Sequence, residues 1–267
     1  MTATPAAAPQ AGPDSDPGRR RAFEGHVALV TGGSKGIGRG IALRLASLGA
    51  DVGITYFRDP DSARATVATL QGHGVRAGAC KAFFGDPRGE EAARTVAWLE
   101  SEIATPTLLV SNAGTGVQRG LADAKRTHWD WTMETHAVTF LELVKRIPAL
   151  ESVVAISSLG ATHVLPGAYG LLAAAKAALE SLVRYLAVEL APRCRVNAIT
   201  PGLVETDAVR QFDGSATMFE VARARTPAER LTTPDDVAAL ATFVLSPDAA
   251  MITGQTIVVD GGYSLLM

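Results

Sequence analysis

The stretch ALVTGGSKGIGRGIALRLASLGA, residues 28–50, decides the fold. An apolar strand-like run ends at Thr31, and glycines follow at Gly32, Gly36 and Gly38 in a T-G-x-x-x-G-x-G pattern. An amphipathic helix then opens. Glycines at such a turn let the chain reverse tightly and let its backbone approach a pyrophosphate, while the helix N-terminus offers N–H donors and a positive dipole. A glycine loop alone is weak evidence, since any tight turn favours glycine. Here it follows a strand, opens a helix and begins a repeated strand–helix series, and that context points to dinucleotide binding. The candidate contacts in the loop are Gly32, Ser34, Lys35, Gly36, Ile37 and Gly38.

Outward from this loop, short apolar strands are predicted at 26–31, 51–56, 77–84, 107–111, 152–157, 194–200 and 256–260. Helices are predicted at 36–48, 60–71, 88–103, 127–147, 168–190 and 234–246. Several strands are continuously apolar, as expected of strands covered on both sheet faces. The alternation implies an α/β fold: a Rossmann-like, doubly wound parallel sheet of about seven strands with helices on both faces. Ligands on such sheets lie beyond the C-terminal strand ends. Segment 203–230 has weaker strand character and helical patches, and is expected to form a mobile lid.

Residues 1–22, rich in Pro, Ala and Gly, have no periodic apolar face and are expected to be a disordered tail carrying Arg19, Arg20 and Arg21. The remaining span, 23–267, reads as a single domain. A hydrophobic fraction of 47% with 19% charged residues describes a soluble protein, and no apolar run reaches the ~18 residues of a membrane span. The net charge of −2, with scattered Lys and Arg, gives no nucleic-acid footprint. Cys80 and Cys194 lie in apolar runs as buried free thiols, and a cytoplasmic location fits them. His26, His73, His128 and His163 show no metal-ligand spacing, so no metal is expected.

An acid at the end of the second strand would hold a ribose 2′-hydroxyl and favour NAD. Thr55 and Tyr56 stand there instead, followed by Arg58, and Lys35 lies inside the glycine loop. Two cations near a 2′-phosphate favour NADPH, unless both are solvated surface charges; Asp59 is the opposing feature.

Taken in order, the motifs resemble the short-chain dehydrogenase/reductase family over residues 25–267. TGGSKGIG (31–38) resembles its cofactor loop, and SNAG (111–114), with Asn112, Ala113 and Gly114, its N-N-A-G segment. AISS (155–158) resembles the strand bearing the active-site serine, here Ser158. NAITPGLVET (197–206) is similar to the segment that contacts nicotinamide, with Pro201, Gly202 and Thr206, and GQTIVVDGG (254–262) to the last strand. THWDWTM (127–133), KAALESLVRYLAVELAP (176–192) and MITGQTIVVDGGYSLLM (251–267) narrow the likeness to NADPH-linked enoyl-acyl-carrier-protein reductases of the third bacterial type. That group uses Tyr-x6-Lys where the wider family uses Tyr-x3-Lys. The segment from Phe140 to Ser152 is several residues shorter than usual. The resemblance also implies a homotetramer or homodimer and an acyl thioester substrate, carried on acyl carrier protein or otherwise.

Tyr169 and Lys176 carry the wider spacing, and Leu172 occupies the place of the acid in a Tyr-x3-Lys enzyme. In a ketone reductase the acid serves the oxygen on the carbon that receives hydride. In an enoyl thioester hydride reaches C3 while charge develops on the C1 oxygen, so the donor must be displaced. Four residues span roughly 6 Å of helix and seven roughly 10.5 Å, returning to nearly the same face. Tyr169 is therefore assigned to the thioester oxygen and Lys176 to the ribose hydroxyls. Ser158 either hydrogen-bonds substrate or only caps a turn. Competing readings are a carbonyl reductase and a non-catalytic NADPH-binding protein. Three departures from the family pattern stand out: His136 at the usual relay asparagine, Phe83 at the usual adenine-binding acid or amide, and Ser111 at the first asparagine of N-N-A-G.

Overall fold

A computed structural model describes residues 22–267, apart from 87–88, 115–116, 118, 166 and 211–213. Seven strands form one sheet: β1 (Val27–Val30), β2 (Asp51–Tyr56), β3 (Ala77–Lys81), β4 (Leu108–Ser111), β5 (Ser152–Ile156), β6 (Arg195–Pro201) and β7 (Thr256–Val259). Their order is β3-β2-β1-β4-β5-β6-β7, and every pairing is parallel. The order reverses between β1 and β4, which opens the ligand crevice of a doubly wound sheet at their C-terminal ends.

Continuous apolar strands serve two cores at once. In β1, Ala28 and Val30 join a cluster with Ile41, Leu45, Val237 and Val244, while Val27 and Leu29 join another with Leu99, Phe140, Leu179 and Val183. The first cluster is covered by α1 (Gly36–Ser47) and α9 (Pro234–Leu245), the second by α3 (Glu90–Glu102), α5 (Thr139–Arg146) and α6 (Gly170–Glu189). α2 (Pro60–Gln71) packs beside α1. β1 thus alternates between two faces although every residue on it is apolar.

One expectation changes. The single helix predicted at 127–147 is α4 (Arg126–Met133), a π-helical turn at Glu134–Val138, and α5. The wide turn carries buried Thr135 and His136, and the His136 ring packs against Gly114 just beyond β4. Segment 203–230 carries the expected helical patches, α7 (Asp207–Arg210) and α8 (Ser215–Arg225), with Phe219 and Ala222 buried against Leu231 in a satellite cluster. The tail expected at 1–22, Ala22 excepted, lies outside the described residues.

The β7 edge of the sheet is anchored by side chains from the first half of β6. The Arg195 guanidinium donates to the carbonyls of Val244 (2.6 Å), Leu245 (3.0 Å), Ser246 (3.0 Å) and Ala249 (3.1 Å), capping α9. Asn197 donates to the Ile252 carbonyl at 2.8 Å and accepts from the Gln255 N–H at 3.0 Å, fixing the approach to β7. Among the described residues no helix is long and apolar enough to cross a membrane.

Candidate active site and dinucleotide cleft

The glycine loop is welded to the exit of β4. Thr31 Oγ1 accepts from the backbone N–H of Asn112 and of Ala113, both at 2.9 Å, and Asn112 Nδ2 returns bonds to the carbonyls of Thr31 (3.0 Å) and Gly32 (3.2 Å). The Gly32 N–H donates to Thr55 Oγ1 at 3.0 Å. The packing leaves no room for a side chain at Gly38, where a Cβ would lie 2.4 Å from the Gly32 carbonyl and 2.5 Å from Asn112 Nδ2. Gly36 has φ +53 and faces Thr206. Ile37 packs into the core beneath.

α1 begins at Gly36 with no side-chain cap and no acid in its first turn. Its leading N–H groups are thus left to an anion, and the loop fits a pyrophosphate. Ser34 is held by its carbonyl, which accepts from Thr66 Oγ1 at 3.1 Å.

The two cations expected at a 2′-phosphate sit on the rim. Lys35 Nζ lies 2.6 Å from Asp59 and 3.7 Å from Asp207. The hydrogen bond and charge of Asp59 raise the Lys35 pKa, and Lys35 in turn holds the Asp59 carboxyl far below the ordinary range. Asp59 also caps α2, accepting from the Ser62 N–H at 2.9 Å. Arg58 stacks its guanidinium 5.1 Å from the centre of the Phe57 ring.

Behind the rim lies a cavity of about 190 Å³, lined among others by Gly32, Thr55, Phe57, Phe83, Ala113 and Thr135. Phe57 and Phe83 stack with ring centres 4.9 Å apart. A flat, apolar opening beside the glycine loop suits a planar base held by stacking, in place of the acid or amide expected at Phe83. The floor is tied to α5 by Thr139 Oγ1, which donates to the Phe84 carbonyl at 3.1 Å.

Tyr169, Lys176 and Ser158 meet at the ends of β5 and α6. Tyr169 is the residue just before the first turn of α6, and its carbonyl accepts from the Ala173 N–H at 2.9 Å. Its hydroxyl lies 2.8 Å from Ser158 Oγ. Ser158 Oγ already accepts from the Gly160 N–H at 3.2 Å, so its proton is free to point at Tyr169 and leave the phenolic proton for another acceptor. The Tyr169 ring lies over Gly160, where a Cβ would come within 2.5 Å of it. Burial raises the Tyr169 pKa against the opposing Ser158 bond, keeping the phenol neutral at physiological pH.

Lys176 is only 7% exposed and donates to the Ile156 carbonyl at 2.6 Å. Burial pulls its pKa down to about 8, with the charge of Glu180 opposing. Pro201 ends β6 and Gly202 follows, its N–H donating to the Val259 carbonyl at 2.9 Å. A Cβ on Gly202 would lie 2.7 Å from Thr232 Oγ1. Both cysteines are free thiols, and burial pushes each up to about 11. Among the described residues no cluster of His, Cys, Asp and Glu could hold a metal ion.

Sequence reasoning missed Phe57, Thr31, Asp207 and Glu180. The only available signal was for Glu180, an acid four residues beyond Lys176 on an apolar helix.

A family model described as Enoyl-(acyl carrier protein) reductase matches residues 32–264. Dehydrogenase/reductase SDR family member 4 of Sus scrofa is 37% identical over 254 residues, spanning 91% of this chain and 89% of its own. The 1-cyclohexenylcarbonyl-CoA reductase of Streptomyces collinus is 35% identical over 253 residues, with coverages of 90% and 87%. The 3-oxoacyl-(acyl-carrier-protein) reductase of Pseudomonas aeruginosa is 33% identical over 255 residues, with coverages of 90% and 98%. A short chain dehydrogenase of Burkholderia cenocepacia, solved in complex with NADP, superposes with a TM-score of 0.83 at 33% identity, covering 92% of this chain and 99% of that one.

Proposed function

The chain is an oxidoreductase of the short-chain dehydrogenase/reductase family, and we propose that it uses NADPH to reduce the C2=C3 double bond of an enoyl thioester. One observation carries the reading: the Tyr169 hydroxyl stands 2.8 Å from Ser158, seven residues before Lys176, while Leu172 holds the intermediate place and has no proton to give. The 1-cyclohexenylcarbonyl-CoA reductase relative, whose name describes an unsaturated acyl thioester, supports it.

Gly32, Ser34, Gly36, Ile37 and Gly38 would hold the pyrophosphate, the Phe57–Phe83 cavity the adenine, and Lys35 and Arg58 the 2′-phosphate. Asn112, Ala113, Gly114, Pro201, Gly202 and Thr206 would surround the nicotinamide half, with Lys176 on its ribose. NADPH, when bound, supplies the hydride that C3 of the substrate accepts. Tyr169, neutral and backed by Ser158, donates to the thioester oxygen, where negative charge develops as the double bond is reduced. The proton taken up at C2 comes from solvent. The buried Lys176 ammonium adds positive charge on the same side of the cleft and favours the polarised substrate. The acyl group arrives on coenzyme A or acyl carrier protein.

Supplying crotonyl and acetoacetyl thioesters in parallel with NADPH, and following cofactor absorbance, tests the reading. Turnover of the enoyl substrate is expected. Turnover of the keto substrate alone overturns it in favour of carbonyl reduction, the activity named by the Pseudomonas relative. Tight NADPH binding without turnover of either points to a non-catalytic protein.

A further inference from the structure

A buried acid beside the site, Glu180, is left unused by the chemistry above. Glu180 is 6% exposed and lies one helical turn beyond Lys176 on α6, so the two side chains share a face. Its Oε1 accepts from Ser157 Oγ at 2.5 Å and from Thr200 Oγ1 at 3.5 Å, and both hydroxyl residues are themselves buried. A carboxylate removed from water costs several kcal/mol unless hydrogen bonds and a countercharge compensate, so an acid kept here needs a reason.

The reason lies in what the neighbouring bonds hold. Lys176 Nζ donates to the carbonyl of Ile156, Glu180 accepts from the side chain of Ser157, and Ser158 meets the Tyr169 hydroxyl. Three successive residues at the end of β5 are thus each gripped by α6 or by the residue that begins it. The Ser157 N–H donates to the Ile199 carbonyl at 2.8 Å, which ties the same residue to β6. Glu180 is the middle grip. Without it Ser157 stays tied to β6 by its backbone but loses its side-chain tie to α6, which loosens the reference shared by Lys176 and the Ser158–Tyr169 pair.

We propose that Glu180 is a positioning residue for the reductase site: its carboxylate fixes the β5 exit through Ser157 and provides the countercharge for the buried Lys176 ammonium. The inference rests on the enoyl reductase reading for the identity of the site, but not for its geometry. Elements packed on α6 also carry Arg126, His128 and Asp130 on α4, Glu134 and His136 in the π-helical turn, and Arg195 on β6. Among the described residues Glu180 is the group whose charge acts on Lys176. That charge opposes the burial that pulls the lysine down to about 8, so its removal lowers the lysine further.

Glu180→Gln keeps an acceptor for Ser157 and removes the charge. Expected are a fold and melting temperature close to wild type, kcat at pH 8 lower by about tenfold, and an unchanged KM for the thioester. The alkaline limb of the rate profile moves to lower pH, and NADPH, measured by fluorescence titration without substrate, binds more weakly at pH 8. Ser157→Ala leaves the carboxylate but frees it. It is expected to lower kcat by about threefold, and it serves if the first variant does not fold. A folded Glu180→Gln with wild-type kcat, alkaline limb and NADPH affinity overturns the proposal. So does a Ser157→Ala indistinguishable from wild type when the first variant is unfolded. A wild-type protein that binds NADPH but leaves crotonyl thioester untouched breaks the reading beneath, while the NADPH titration of the variant still judges Glu180.

Discussion

Two lysines mark two regions of the cleft, and their surroundings set opposite behaviour. Lys35, on the phosphate rim, is half in solvent and flanked by Asp59 and Asp207, which raise its pKa. Lys176, on the floor of the proposed active site, is buried, and its direct partner is the carbonyl of Ile156. Its pKa falls to about 8. The rim holds a charge that is always present but already paired and screened. The floor holds one that is poised, weakly compensated and undiluted by water. A screened charge can select among ligands, whereas a desolvated one can alter a reaction.

The sharpest way to break that contrast is at the floor. Tyr169→Phe removes the donor while leaving the ring over Gly160, and turnover of the enoyl substrate should fall by roughly 10²–10³-fold. NADPH affinity should stay within about twofold, since on this reading the phenol serves the substrate. Intact activity in this variant removes Tyr169 from its assigned role, whichever substrate is used.

The pH dependence separates the two lysines in a single experiment. Lys176 is charged below about 8 and loses its proton as pH rises through that value. NADPH affinity and rate should therefore be flat on the neutral side and decline on the alkaline side. Lys35, raised by its acids, stays charged over the same range, so the preference for NADPH over NADH should not move. A preference that declines in step with the rate would show that the two regions are not independent.

The smallest effect is expected at the rim. Asp59→Ser keeps a cap for the Ser62 N–H and removes the acid paired with Lys35. NADPH affinity should rise by roughly two- to fivefold, the scale of an exposed ion pair, with NADH little changed. Lys35→Ala should lower NADPH affinity by a similar factor. Equal effects on both cofactors would take the 2′-phosphate away from this rim.

How much of this was legible beforehand depends on whether the determining contacts are local. The seven strands, the glycine loop and most helices were readable because each rests on a run of neighbours in sequence: apolar residues or a glycine pattern. The break at Glu134–Val138 was not, since a π-helical turn uses the same residues as the α-helix around it. Tyr169 was read as lying within a helix, and it stands just before one. The backbone of Tyr169 is nevertheless already in the helical region, and its carbonyl closes the first turn.

Sequence by itself determined the class of fold, the place of the glycine loop and the spacing of Tyr169 and Lys176, because runs along one strand or helix specify them. Tertiary structure alone decided which partners those residues meet. Phe57 reaches Phe83 because β2 and β3 lie side by side, Lys35 reaches Asp207 across 172 positions, and Glu180 reaches Ser157 because α6 packs along β5 and β6. Burial and charge pairing are properties of those meetings. The difference between an always-charged lysine on the rim and a poised one on the floor therefore appears only once the chain has folded.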